Sequence, residues 1–177
     1  MAKTKWAVDA SHSAVEFSVK HMMIAKVKGS FHEFSAEIEA DPNDLTTASI
    51  RFDIDLSSVD TRNGDRDAHL RSADFFDTEK YPKLTFDATR IVKKGDGEYD
   101  VTGNVTLHGV TRAETFAVTF EGGGKDPWGN EKVGFSATGS LKRSDYGLTY
   151  NAVLETGGVL IGDEVKVSMD IEAAKLA

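Results

Sequence analysis

The side chains that could do chemistry crowd into one stretch, NGDRDAHLRSADFFDTEKYPKLTF, from Asn63 to Phe86. Asp65, Asp67, Asp74, Asp77 and Glu79 alternate there with Arg66, Arg71 and Lys80, and His69 precedes a Phe75-Phe76 pair. Carboxylates at such spacing can hold calcium, share a catalytic proton or simply pair with their cationic neighbours. Taking Asn63, Asp65 and Asp67 as the first, third and fifth positions of a calcium loop puts Ala68 where the turn needs Gly and Asp74 where a bidentate Glu is expected. The calcium template therefore fails.

Other templates fail as well. Histidines occur at 12, 21, 32, 69 and 108 with no H-x-H or H-E-x-x-H spacing, and there is no cysteine, so no metal site and no cofactor is expected. Gly134, Ser136 and Gly139 form G-x-S-x-x-G, one residue too long for a nucleophile elbow and set in an alternating stretch. Gly122 to Gly124 lead into Lys125-Asp126-Pro127 instead of a helix, so they make no phosphate loop. A hydrolase remains as an alternative, using the acidic and His cluster at 60–74, should Asp55, Asp60, Asp65, Asp67 and Asp74 converge at one end of the fold.

Composition narrows the partners. The 177 residues suit a single domain spanning 1–177. A net charge of −8 with scattered basic residues argues against nucleic acid. The start MAKTKWAVDASHS lacks an apolar run behind its lysines, so as written the chain reads as cytoplasmic, and as periplasmic or secreted if a signal peptide was removed.

The elements that must position the cluster are strands. Val15, Phe17 and Val19 alternate with polar residues, and the same period of two recurs through Phe34-Ala36-Ile38, Ile50-Phe52-Ile54, Leu84-Phe86-Ala88, Val105-Leu107, Phe116-Val118-Phe120, Phe135-Ala137 and Val165-Val167-Met169-Ile171. Turn signals separate them at 41–44, 95–97, 122–129 and 162–163. Short connections favour antiparallel neighbours. Such a sheet must hide its apolar face by closing into a barrel or by packing on a second sheet, and periodicity leaves both open. The inward positions are rich in Phe and poor in Leu, with Gly103, Gly109 and Gly139 among them, which leaves room inside. A filled core, as in a solid-core stress or interaction protein, remains the alternative.

Within 65–77, Asp67 and Arg71 stand four apart as a helical ion pair would, and Ser72 can cap a second turn containing Asp74. Pro82 turns Tyr81 towards the next strand. A short helical insertion around residues 62–77 is therefore expected, its Leu70, Phe75 and Phe76 turned inward as a plug.

The chain resembles the bacterial YceI-like family of lipocalin-like, polyisoprenoid-binding proteins. The resemblance lies in VDASHSAVEFSVKHM (8–22), GSFHEFSAEIEAD (29–41), VDTRNGDRDAHLRSADFFDTEKYPKLTF (59–86), VTGNVTLHGVTR (101–112) and LKRSDYGL (141–148), and so covers nearly the whole length. Ala113, where the family usually has Pro, and Tyr146, where Phe is common, depart from it. The resemblance implies an all-β fold, an extended eight-stranded antiparallel lipocalin-like barrel with an apolar pore for a polyprenyl or quinone-type lipid. It also implies a homodimer and no established catalysis, and a transient membrane encounter fits such a role. Many members are periplasmic.

With that fold, parity makes Phe17, Val19, Phe34, Ile38, Phe52, Ile54, Phe86, Val105, Leu107, Phe116, Val118, Phe135 and Met169 the ligand-binding candidates, with Phe75 and Phe76 from the plug. His21, Arg66, His69 and Arg71 are candidates for a rim that meets the lipid head group. Burial of hydrocarbon at ~0.8 kcal/mol per CH₂ outweighs an association cost of roughly 4–15 kcal/mol without any polar motif. Between a bilayer and an apolar pore, by contrast, discrimination falls to the head group and the pore's shape. Whether the long 142–162 segment, with Tyr146, Leu148 and Tyr150, gates the pore is a question the sequence leaves open.

Overall fold

The structure, a computed structural model, describes residues 3–151 and 160–176. Its strands are β1 (Thr4–Val8), β2 (Ala14–His21), β3 (Ala25–Phe31), β4 (Phe34–Asp41), β5 (Asp44–Asp55), β6 (Val59–Asp60), β7 (Lys83–Gly95), β8 (Glu98–Leu107), β9 (Val110–Lys125), β10 (Glu131–Lys142) and β11 (Ile161–Lys175), with one helix, α1 (Gly64–Arg71). Neighbours run β1-β4-β5-β7-β8-β9-β10-β11, and β11 returns to β1. The sheet is therefore a closed eight-stranded antiparallel barrel.

Two wall positions are shared. β11 pairs with β2 from Ile161↔His21 to Asp170↔Ala14, and then with β1 from Ala173↔Val8 to Lys175↔Trp6. β1 and β2 are thus two halves of one wall strand, interrupted by a 3-10 turn at Ala10–His12. β3 and β4 divide another wall strand in the same way at His32–Glu33. β1 and β3 are not among the expected strands; β1 is only five residues long, whereas AKVKGSF does alternate, with Ala25, Val27 and Phe31 at period two against Lys26, Lys28 and Ser30.

Aspartates two residues before Ser or Thr set several of the corners. Asp9, Asp44 and Asp55 each accept from the backbone N–H and the hydroxyl of Ser11, Thr46 and Ser57, the Asx geometry that bends a chain locally. At the first corner His12 Nδ1 lies 2.8 Å from Asp9 and 3.5 Å from Glu172 of β11. The Asp9 hydrogen bond and charge, then Glu172, raise the His12 pKa above 6.5. Bonds from Ser11 and then His12 hold Asp9 well below the usual carboxylate range.

The His12 contribution to stability is therefore complete below pH 6.5 and is lost as pH rises through its raised folded pKa. The Asp9 contribution is present above the ordinary value of 3.8 and is lost as pH falls through its depressed folded pKa. An NMR titration of His12 is expected to show a midpoint above 6.5 that falls back in Asp9→Asn. A midpoint at or below 6.5 in the unmutated chain would refute this linkage.

Two expected turns prove to be strand. Gly122 to Gly124 belong to β9 and pair with Lys132 to Gly134, the reversal falling at 126–130, where Asp126 accepts from the N–H groups of Trp128 and Asn130. Gly162-Asp163 lies within β11, at a register shift between Ile161 and Val165. Glycine in these places marks irregularity in a ladder and does not end it.

The register places the β2–β3 hairpin, the 56–82 insertion, the β8–β9 turn and the segment after β10 at one end of the barrel. The β4–β5, β7–β8 and β9–β10 reversals lie at the other. That second end, the base, is filled by Trp6, Ala40, Leu45 and Ala173, with Tyr99, Phe120 and Phe135 against them.

The insertion covers the first end. Asn63 caps α1 by accepting from the Arg66 N–H at 3.0 Å. Asp65 and Asp67 occupy the first turn, with His69 and Arg71 in the last, as the helix dipole favours. Leu56, Val59 and Phe75 are buried, and Leu70 and Phe76 pack on the same core. The expected Asp67 to Arg71 pair does not form. The buried Asp67 carboxylate instead accepts from the N–H and hydroxyl of Thr61, at 2.9 and 2.6 Å, pinning the helix to the preceding strand. Ser72 ends α1 by donating to the His69 carbonyl at 2.6 Å, so a single helix is followed by turns.

Candidate functional site

The barrel interior is hollow. A cavity of about 570 Å³ is lined by side chains from the wall strands and the insertion, a size and apolarity suited to a small hydrophobic molecule. Phe17, Val19, Ile38, Phe52, Ile54, Phe75, Phe76, Phe86, Val105, Leu107, Phe116, Val118, Phe135 and Met169 all line it. Phe34 does not: it stacks on Phe52 at 5.9 Å between centroids and packs into the wall. Residues beyond the expected set complete the lining, among them Ile50, Leu84, Val165, Val167 and Ile171, which share the inward parity, and Tyr99 near the base.

The inward glycines act indirectly. A Cβ at Gly29 would lie 2.5 Å from the Phe17 ring, one at Gly103 would lie 2.6 Å from the Phe86 ring, and one at Gly139 would strike the Phe116 ring. The space each glycine leaves is therefore filled by a neighbouring Phe lying back on the wall. That arrangement keeps the rings out of the lumen while preserving their apolar surface.

The mouth is basic. The ionisable groups of the lining outside the tyrosines are His21, Arg66, His69 and Arg143, with Glu16 and Lys20 also touching it from positions of outward parity on β2. Arg66 donates from Nε and Nη2 to the Thr61 hydroxyl and carbonyl, both at 2.8 Å. His69 Nε2 lies 2.9 Å from Asp74, and its ring meets Phe75 and Tyr150 edge-on at 5.0 Å. Arg71, expected on the rim, is not in the lining; its carbonyl accepts from the N–H and hydroxyl of Thr78.

Arg143 was not legible as a site residue. It is buried, and its guanidinium donates to the carbonyls of Gly162, Leu148, Tyr150 and Ile161 at 2.7 to 3.3 Å. Burial lowers its pKa while the Asp163 charge opposes the shift. Tyr146 and Leu148 are buried beside it, and Tyr150 lies at the mouth. The Tyr146 hydroxyl donates to Glu114 at 2.6 Å, and burial, then that bond, pushes its pKa up. Of the 142–162 segment, whose gating role the sequence left open, residues 152–159 lie outside the described residues.

The acidic cluster does not assemble as one carboxylate pair. Asp60 engages His32 at 2.9 Å and the Arg62 N–H, Asp67 engages Thr61, Asp74 engages His69, and Asp55 caps Ser57. Among the described residues, one group is close enough to offer three metal ligands, namely Asp9, His12 and Glu172. The Lys132 ammonium stands 3.7 Å from Asp9, and the Asp9 oxygens are taken by Ser11 and His12. A cation already occupies the electrostatic role there.

The YceI-like domain model matches residues 6–173. The chain belongs to the YceI-like family. The UPF0312 protein SAS2572 of Staphylococcus aureus strain MSSA476 is 42% identical over 170 residues, covering 96% of each chain. The crystal structure of the Campylobacter jejuni YceI protein superposes with a TM-score of 0.77 at 32% identity, over 89% of this chain and 90% of that one. A polyisoprenoid binding domain from Saccharophagus degradans, implicated in plant cell wall breakdown, shares the fold with a TM-score of 0.71 at 18% identity, covering 98% and 99%. This YceI-like chain is thus a barrel built around a hydrophobic ligand-sized space.

Proposed function

We propose that this YceI-like protein is a non-catalytic carrier for an isoprenoid lipid, of polyprenyl or quinone type, held by its hydrocarbon chain in the lumen. The observation that carries the reading is the apolar cavity itself, lined from Tyr99 and Phe135 near the base to Phe75 and His21 at the mouth. That hollow also displaces the solid-core alternative. The Saccharophagus degradans domain, described as polyisoprenoid-binding, has the same architecture. Its ligand class therefore fits the fold.

Chain burial supplies affinity at ~0.8 kcal/mol per CH₂, and the basic mouth favours a polar or anionic head. Arg66 commits Nε and Nη2 to Thr61 and, among the described residues, makes no hydrogen bond through Nη1, so it retains donors for that head. Organic extraction of the purified full chain followed by mass spectrometry is expected to yield a prenyl lipid at close to one per chain. Protein that carries no prenyl lipid and takes none up from detergent would overturn the reading.

A hydrolase on the 60–74 cluster has one observation in its favour, the His69 to Asp74 bond at the mouth. The nearby Ser72 hydroxyl is not turned to that pair, being bonded to the His69 carbonyl at 2.6 Å. Turnover of a prenyl ester that disappears in His69→Ala with lipid uptake intact would establish it against the carrier reading.

A further inference from the structure

The hairpin between β2 and β3 ends in Met22, Met23 and Ile24, which are 40%, 51% and 84% exposed. Met22 and Met23 also hold left-handed backbone, with φ of 53° and 61°, in a turn where Asn or Gly is the ordinary occupant. Neither their side chains nor their backbone suits a solvated turn.

The strands behind the tip repeat the anomaly in charge. Lys20 and Lys26 stand directly opposite each other, and Lys28 opposes Ser18 on the same outer face. Like charges so placed weaken a ladder. All three lysines are exposed. The lysine ion pairs among the described residues involve Lys5, Lys94, Lys132 and Lys175 instead. The acids nearest in register are Glu16 on β2, Asp163, which accepts from the Ser144 N–H and hydroxyl, and Glu164. In a chain of net charge −8 this basic, apolar-tipped hairpin is of contrary character.

Its location links it to the lumen. The Met22 N–H donates to the Leu160 carbonyl at 2.7 Å, and His21 pairs with Ile161. Lys20, His21, Leu160 and Ile161 all line the mouth.

We propose that this hairpin docks the protein on an anionic lipid bilayer, with Met22, Met23 and Ile24 entering the zone beneath the head groups and Lys20, Lys26 and Lys28 meeting the phosphates. Three apolar side chains and three lysines make a weak, reversible anchor. Docked this way, the mouth faces the membrane, and a prenyl chain exchanges between bilayer and lumen with little exposure to water. The inference deepens the carrier reading, but docking is measured without any cargo.

The test is co-sedimentation of the full chain with vesicles of phosphatidylcholine containing about one third phosphatidylglycerol, against phosphatidylcholine alone. At about fivefold per lysine, partitioning into the anionic vesicles is expected to be about a hundredfold stronger at low salt. Lys26→Gln/Lys28→Gln is expected to remove about 25-fold of that. Met23→Ser/Ile24→Ser is expected to weaken partitioning about tenfold through lost apolar burial, with circular dichroism and extracted lipid unchanged. Equal partitioning into both vesicle types, or variants that sediment like the unmutated chain, would overturn the proposal. So would tip variants that convert a dimer to a monomer in sedimentation velocity without changing vesicle binding, which would make the hairpin a contact between copies. Docking by a chain that neither carries a prenyl lipid nor takes one up from detergent would overturn the carrier reading alone.

Discussion

Replacing Ala137 with Trp is expected to expel lipid from the lumen while the barrel still folds. Ala137 lies on β10 opposite Val118 of β9 and Met169 of β11, and all three face the cavity. In a filled interior an insertion of this size forces neighbours off their rotamers, typically at about 1–3 kcal/mol and sometimes more. In a hollow one the indole takes volume that the ligand would otherwise occupy. Extracted prenyl lipid is expected to fall at least about tenfold, because the indole competes with the chain for the same apolar volume. The delipidated variant is expected to unfold within about 4 °C of delipidated wild type, corresponding to roughly 1 kcal/mol in a chain of this size. Lipid extraction and thermal unfolding read the two effects separately. Undiminished lipid content, or a variant that no longer folds, would mean that this part of the lumen is not ligand space.

The second large effect belongs to Arg143. Its fork gathers four carbonyls from Leu148, Tyr150, Ile161 and Gly162, and so joins the turn after β10 to the start of β11. Arg143→Met keeps much of the apolar stem but removes the donor from the Leu148, Tyr150 and Gly162 carbonyls, while the Ile161 carbonyl keeps its bond from Asn151. With unsatisfied buried groups costing about 1–3 kcal/mol each and some regaining water, the expected loss is about 3–5 kcal/mol. Arg143→Lys is expected to recover little of it, because an ammonium has three donors at one point and cannot span the four acceptors. Denaturant unfolding measures the loss. Hydrogen exchange should show it concentrated at the Leu148 amide, which donates to the Arg143 carbonyl at 3.0 Å. An Arg143→Met protein within about 1 kcal/mol of wild type would show that the carbonyls find other partners, since that is no more than one ordinary hydrogen bond.

Where sequence and structure diverge, the difference is local and has physical causes. Alternation placed Phe17, Phe52, Phe86 and Phe116 on the inner face because side-chain direction in a strand follows parity alone. It could not show that Phe34 stays out of the cavity that Phe52 lines, since that follows from how the two rings stack across neighbouring strands. Asp67 and Arg71 have the spacing of a helical ion pair, yet Thr61 captures the carboxylate with two bonds that only the fold brings within reach. Gly103 and Gly139 were legible as small inward residues, but the rings that fill their places arrive from neighbouring strands. Arg143 gave no signal because its partners are backbone carbonyls, which every residue type carries.

By itself, then, the sequence determined most of the antiparallel strands, their inward faces and the helical insertion around 62–77, because period, turn residues and caps act over a few residues. It also carried the motifs of the YceI-like family. Only the tertiary structure decided that the sheet closes through β1 and β11 and that the interior stays hollow. The same structure gathers Lys20, His21, Arg66, His69 and Arg143 at one mouth. Closure and volume depend on register between strands far apart in the chain, and no local pattern encodes how much space their side chains leave.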